Sequence, residues 1–189
     1  MKLSVKGLAQ TALLLTICIA SQYFKTLSVY ITGPIVNTTI IIAVLAVGLW
    51  SGILISMIAP VTAFLFTGSV IMAAIPLMFP VVMAGNAILA ISVWFFQTKL
   101  SFPWKLPAGL ALGSVLKAVF MGVVVVLFIL PVWGDNIAGK LLKPETFPRV
   151  LATAKVTFSV TQLITALIGS ALAYVIWIPL NKYIKNGRE

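Results

Sequence analysis

Between Thr26 and Thr98 no position carries Asp, Glu, Lys or Arg. A membrane span needs about 20 apolar residues, so this stretch alone has the length for roughly three consecutive crossings. Within it, runs such as Ile40–Val47 are apolar at every position. Barrel strands alternate lipid-facing and lumen-facing residues, and backbone in hydrocarbon must satisfy its own hydrogen bonds, so unbroken apolar runs specify helices.

The polar breaks divide the chain into six apolar segments. Helix one is predicted from Val5 to Phe24, with a polar-aromatic loop over Lys25–Thr32. Gly33-Pro34 is read as the start of helix two, with proline in the tolerated first turn. That helix is expected to end near Gly48-Leu49-Trp50, and Ser51-Gly52 to turn the chain into helix three, Ile53–Phe66. Gly68–Pro80 reads as an uncharged connection, buried or re-entrant in part. Helix four follows over Pro80–Gln97 and helix five over Ala108–Leu130, separated by a loop with Lys99, Pro103, Lys105 and Pro107. Pro131–Arg149 is the longest connection, and helix six runs over Leu151–Leu180 into a basic tail. The expected architecture is all-α: one integral membrane domain over residues 1–189, a bundle of six transmembrane helices.

Composition fits this picture. Apolar residues make up 61% of the 189 positions and charged residues 8%, too few charges to keep a soluble domain dispersed. The net charge of +10 would point to nucleic acid in a soluble protein. Here the basic residues gather at span ends, where they set orientation and meet anionic headgroups. Six spans place both ends on one side. That side carries Lys2, Lys6, Lys99, Lys105, Lys182, Lys185 and Arg188 against Glu189. The other carries Lys25, Lys140, Lys143, Arg149 and Lys155, offset by Asp135 and Glu145. The excess on the first side predicts that both termini are cytoplasmic. Lys2 and Lys6 ahead of an apolar run with Ile19-Ala20-Ser21 also fit a cleaved signal, but the spans that follow favour a retained first helix.

Chemistry has little raw material. His is absent, Cys18 is the single cysteine, and Asp135, Glu145 and Glu189 are the only acids. No metal site or acid–base catalyst is expected, and no cofactor. A GxxxxGK[ST] phosphate loop and a GxSxG elbow are both missing, so an enzyme is not expected and any pumping must be powered by another protein.

One residue breaks the apolar pattern. Lys117 lies 11 residues after Leu106 and 14 before Pro131, roughly 16 Å and 21 Å at 1.5 Å per residue. A lysine stem of about 6 Å cannot bring the ammonium to either surface. An unpaired charge at that depth costs on the order of 2.5–3.5 kcal/mol. Gly109, Gly113, Lys117 and Met121 are spaced by four, so Lys117 shares the face on which helices pack and should point into the bundle. No carboxylate lies in any span to neutralise it. Either carbonyls and burial satisfy it, or it awaits an acceptor from outside.

On helix six, Lys155, Ser159, Gln162, Ala166, Gly169 and Ala173 fall on one face, polar toward the far side and small deeper in. Asn86 and Asn37 occupy the same level on helices four and two. Each also reads as interhelical glue; together they outline a polar pocket. Trp133, before Gly134-Asp135-Asn136, is read either as part of an interfacial aromatic belt or as a lid that stacks on a flat ligand. The substrate-binding set is therefore Asn37, Asn86, Lys117, Trp133, Lys155, Ser159 and Gln162. With cations and no acid in the spans, charge complementarity favours an acceptor-rich or anionic solute over a cation.

The order of GPIVN at 33–37, GLWSG at 48–52, GNAIL at 85–89, GSVLKA at 113–118 and QLITALIG at 162–169 in a basic six-span chain resembles the substrate-binding S component of energy-coupling factor (ECF) vitamin transporters. The resemblance covers nearly the whole chain. It implies high-affinity capture of a vitamin or related micronutrient near the outer face of a bacterial or archaeal cell membrane. It also implies docking onto one transmembrane T subunit and two ATPase subunits. In that family helix one docks through an Ala-x-x-x-Ala surface; here Ala12, Thr16 and Ala20 stand at that spacing, with Thr in place of one Ala. A different class, an autonomous secondary carrier or channel for a small solute, stays open, as does a ligand-free assembly subunit.

Overall fold

The computed structural model describes residues 4–26, 28–141 and 143–186. Lys2, Arg188 and Glu189 of the expected charge asymmetry lie outside the described residues, as do the side chains of Lys25 and Lys185.

The chain is all-α, with no strand among the described residues. The elements are α1 (Val5–Gln22), α2 (Val29–Ala46), α3 (Leu49–Thr67), α4 (Val70–Ala74), α5 (Met78–Lys99), α6 (Lys105–Met121), α7 (Leu130–Trp133), α8 (Asp135–Ala138), α9 (Phe147–Thr157) and α10 (Val160–Asn186). Among the described residues, six spans are long and apolar enough to cross a membrane: α1, α2, α3, α5, the continuous stretch Lys105–Trp133, and Phe147–Ile184.

α2 is central, packing against α1, α3, α5 and α10, while α6 closes the ring between α5 and α10. Its residues Asn37–Val44 are buried without interruption, as befits a helix apolar all round. Large side chains such as Leu13, Leu65, Leu127 and Val175 are exposed on the outside of the bundle, the surface that lipid would cover. Small residues bring the backbones together. A Cβ on Gly169 of α10 would lie 2.6 Å from Asn37 Cβ and 2.7 Å from the Pro34 carbonyl of α2. One on Gly33 of α2 would lie 2.8 Å from Thr165 of α10. Hydroxyls add interhelical bonds: Thr11 to Ser51 at 2.6 Å and Ser114 to Ser170 at 2.9 Å.

Several boundaries differ from the sequence expectation, α6 beginning at Lys105 and α9 at Phe147 among them, and four of the differences have a plain local reason. α2 begins at Val29, where the Ser28 hydroxyl accepts from the Tyr30 N–H, so Pro34 sits inside the helix. The Pro34 carbonyl accepts from the Thr38 hydroxyl at 2.8 Å. The turn into α3 is at Gly48, whose φ of 134° suits only glycine; Ser51 and Gly52 are buried within α3, and Gly52 faces Val44. Helix five does not stop at Leu130. It widens into a π-helical stretch over Gly122–Ile129 and continues to Trp133. The Leu130 N–H still reaches back to the Val125 carbonyl, while that of Gly134 reaches Leu130. Pro131, which has no N–H to give, falls where the spacing changes from five residues to four. Helix six, finally, is broken at Phe158-Ser159, where the Ser159 N–H bonds three residues back to Val156. The uncharged 68–80 connection is buried in part: Gly68 ends α3 at φ 56°, and Met72, Ala74 and Ile75 are buried.

Two apolar cores result. One, including Cys18, Ile40, Ile55, Leu89, Val93 and Ala173, lies toward the chain's ends. The other, including Met72, Met78, Val125, Ile129, Ile137 and Phe158, lies at the opposite end of the bundle. A polar layer adjoins both.

Candidate functional site

That layer is built on Lys117. Glycines at 109 and 113 let the buried face of α6 approach α5, a Cβ at 113 coming within 3.1 Å of Leu89 and Ser92. The lysine two turns on from Gly109 is thereby drawn into the bundle at 3% exposure. Its Nζ donates to Asn37 Oδ1 of α2 at 2.6 Å and to Asn86 Oδ1 of α5 at 2.7 Å. Lysine has three N–H donors and no acceptor, so only the amide oxygens can turn toward it. Both asparagines are as buried as the lysine. Three helices, α2, α5 and α6, thus meet at one nitrogen.

Lys117, Asn37 and Asn86 also line a cavity of about 500 Å³. Its walls come from the end of α1, the first half of α2, the second half of α3, α4, the start of α5 and the α9–α10 junction. All of these belong to the half of the bundle away from the chain's ends. Apolar lining is supplied by Val36, Ala63, Ile71, Met72, Val82 and Phe158, and no Asp or Glu lines it. Lys117 is the only charged side chain among the lining residues.

Of the seven binding residues expected from sequence, the structure brings four together here: Asn37, Asn86, Lys117 and Gln162. Trp133, Lys155 and Ser159 do not line this cavity. Trp133 ends α7 at the bundle surface rather than sitting in a loop. Lys155 and Gln162 differ in surroundings: the inward-facing series runs Ala154, Phe158, Thr161 and Thr165, with Gln162 half-buried beside it. Ala154 and Phe158 turn inward instead, and Lys155 is exposed. The Ser159 hydroxyl bonds back to the Lys155 carbonyl. Residues that sequence reasoning missed include Gln22, Thr32, Ser69, Thr157 and Thr165, all on the cavity wall. Gln22 carried a usable signal, an amide at the last position of the first span. Ala12, Thr16 and Ala20 lie on the exposed side of α1, where the Thr16 hydroxyl is returned to the Ala12 carbonyl at 2.9 Å.

Comparisons with family models, with curated proteins and with solved structures each give no match.

Proposed function

We propose that this multi-pass membrane protein is the solute-capture S subunit of an ECF-type importer for a vitamin or related micronutrient. It would carry no chemistry of its own and would rely on a T subunit and two ATPases for energy. The observation that carries the reading is the cavity at the end of the bundle opposite the termini, floored by one buried ammonium held between two amides. With both termini in the cytoplasm, as the basic residues favour, that cavity faces outward. Its volume suits a small metabolite, and its few convergent polar groups in an apolar wall are what a specific binding site needs. The exposed face of Ala12, Thr16 and Ala20 supplies the flat surface on which a partner helix would dock.

No acid lies in the described spans to trade a proton or sodium ion with Lys117, which supports capture over autonomous transport. Gentle purification followed by native mass spectrometry tests capture directly: one small metabolite per chain is expected. Liposomes containing this chain alone should bind solute without accumulating it. Concentrative uptake in the absence of any ATPase would replace the proposal with a secondary carrier.

A further inference from the structure

We infer, building on the capture reading, that the cavity takes a small organic monocarboxylate. Its carboxylate sits on the Lys117–Asn37–Asn86 floor and its apolar body lies against Ile71, Met72, Val82 and Phe158. The floor has donors left over. Both asparagine oxygens are turned to Lys117, which forces each NH2 group to point away from it. Neither Nδ2 makes a hydrogen bond among the described residues, and neither is a sealed-off orphan; the one such atom is Gln97 Nε2, near the far end of α5. Each asparagine lines the cavity. Lys117 has a third N–H beyond the two that bond the amides. The floor therefore offers N–H groups from three helices, while both of its amide oxygens are already engaged. The ammonium polarises the amides whose oxygens it holds, which strengthens their N–H groups as donors. Such a cradle is complementary to a group that only accepts.

Charge narrows the class. The lining carries a single cation and no acid. One carboxylate leaves the site neutral, whereas a phosphate ester or dicarboxylate brings a second negative charge into an apolar cavity with nothing to pair it. A primary amide of the same shape would set its own NH2 against the donors, a mismatch expected to weaken binding roughly tenfold or more. An amine would meet the ammonium directly.

The test uses the ligand-stripped full chain and native mass spectrometry. The probes are octanoate, 4-phenylbutyrate and indole-3-propionate, with the matching primary amides, amines and, for octanoate, octanedioate. The acids are expected to be retained at least about tenfold better than the amides, with amines and octanedioate not retained. The preference should vanish in Lys117→Met and in Lys117→Gln, whichever retains the wild-type melting temperature. Equal retention of acids and amides, or an acid preference that survives in a folded Lys117 variant, overturns the inference. Retention of none of the probes also overturns it. Capture itself is decided separately: a neutral or cationic metabolite co-purifying with the chain sinks the carboxylate and leaves capture standing.

Discussion

Replacing Asn86 by leucine should destabilise the bundle only while the lysine it serves is present. Asn86→Leu keeps the branched outline of the side chain, with bulkier ends, and leaves the buried ammonium with one carbonyl in place of two. A hydrogen bond to a charged group contributes about 1.5–3 kcal/mol, and at 2.7 Å between groups 3% exposed the Lys117–Asn86 bond belongs to that class. Lys117→Met removes the ion itself. It relieves a burial penalty of roughly 2.5–3.5 kcal/mol and strands two amide oxygens at about 1–3 kcal/mol each. Those terms oppose one another, so the net change should lie between about 1.5 kcal/mol gained and about 3.5 kcal/mol lost. Once the lysine is methionine, Asn86→Leu loses its penalty. It also removes one of the stranded oxygens, so the double-mutant cycle should show coupling of about 2.5–6 kcal/mol. Thermal unfolding in detergent reads this. At about 2–4 °C per kcal/mol for a chain of this size, Asn86→Leu should melt roughly 3–12 °C lower, and the double variant no lower than Lys117→Met. Strict additivity, or an Asn86→Leu variant as stable as the parent while Lys117→Met collapses, would refute the idea that amides hold a charge there.

Gly169→Ala puts a methyl within 2.6 Å of Asn37 and 2.7 Å of a backbone carbonyl that cannot swing aside. A loss of about 1–3 kcal/mol is expected from overpacking, with weakened solute retention because Asn37 is the side chain displaced. Gln162→Ala should lower retention of the co-purified metabolite, whereas Trp133→Ala and Lys155→Ala, outside the cavity, should leave it unchanged; native mass spectrometry compares all three. Thr11→Val removes the α1–α3 hydroxyl pair, at an expected ~0.6 kcal/mol and no more than about 1.7. Cys18, wholly buried and free on α1, should resist a maleimide until the bundle opens, and label faster in that variant.

The spans and the inward direction of Lys117 were legible in the chain because both are local. Unbroken apolar runs fix helices in lipid, and four-residue spacing from Gly109 through Lys117 fixes a face, whatever lies beside it. Helix ends were less legible. Gly33-Pro34 resembles a helix start, yet the Ser28 cap upstream decides it; Ser51-Gly52 resembles a turn, yet Gly48 takes the one backbone conformation that needs glycine.

What surrounds Lys117 was decided only by packing. Asn37 and Asn86 lie 80 and 31 residues from it in sequence, and periodicity says which way each faces without saying which helices are neighbours. Contact between Gly169 and α2, and between Gly113 and α5, sets those neighbours and brings the two amide oxygens to one nitrogen. The same holds for Lys155: an even helical pattern places it beside Gln162, but the packed face runs through Ala154 and Phe158 and leaves it exposed. A sequence records the period of a helix, whereas which of two adjacent stripes faces inward is set by what the helix packs against.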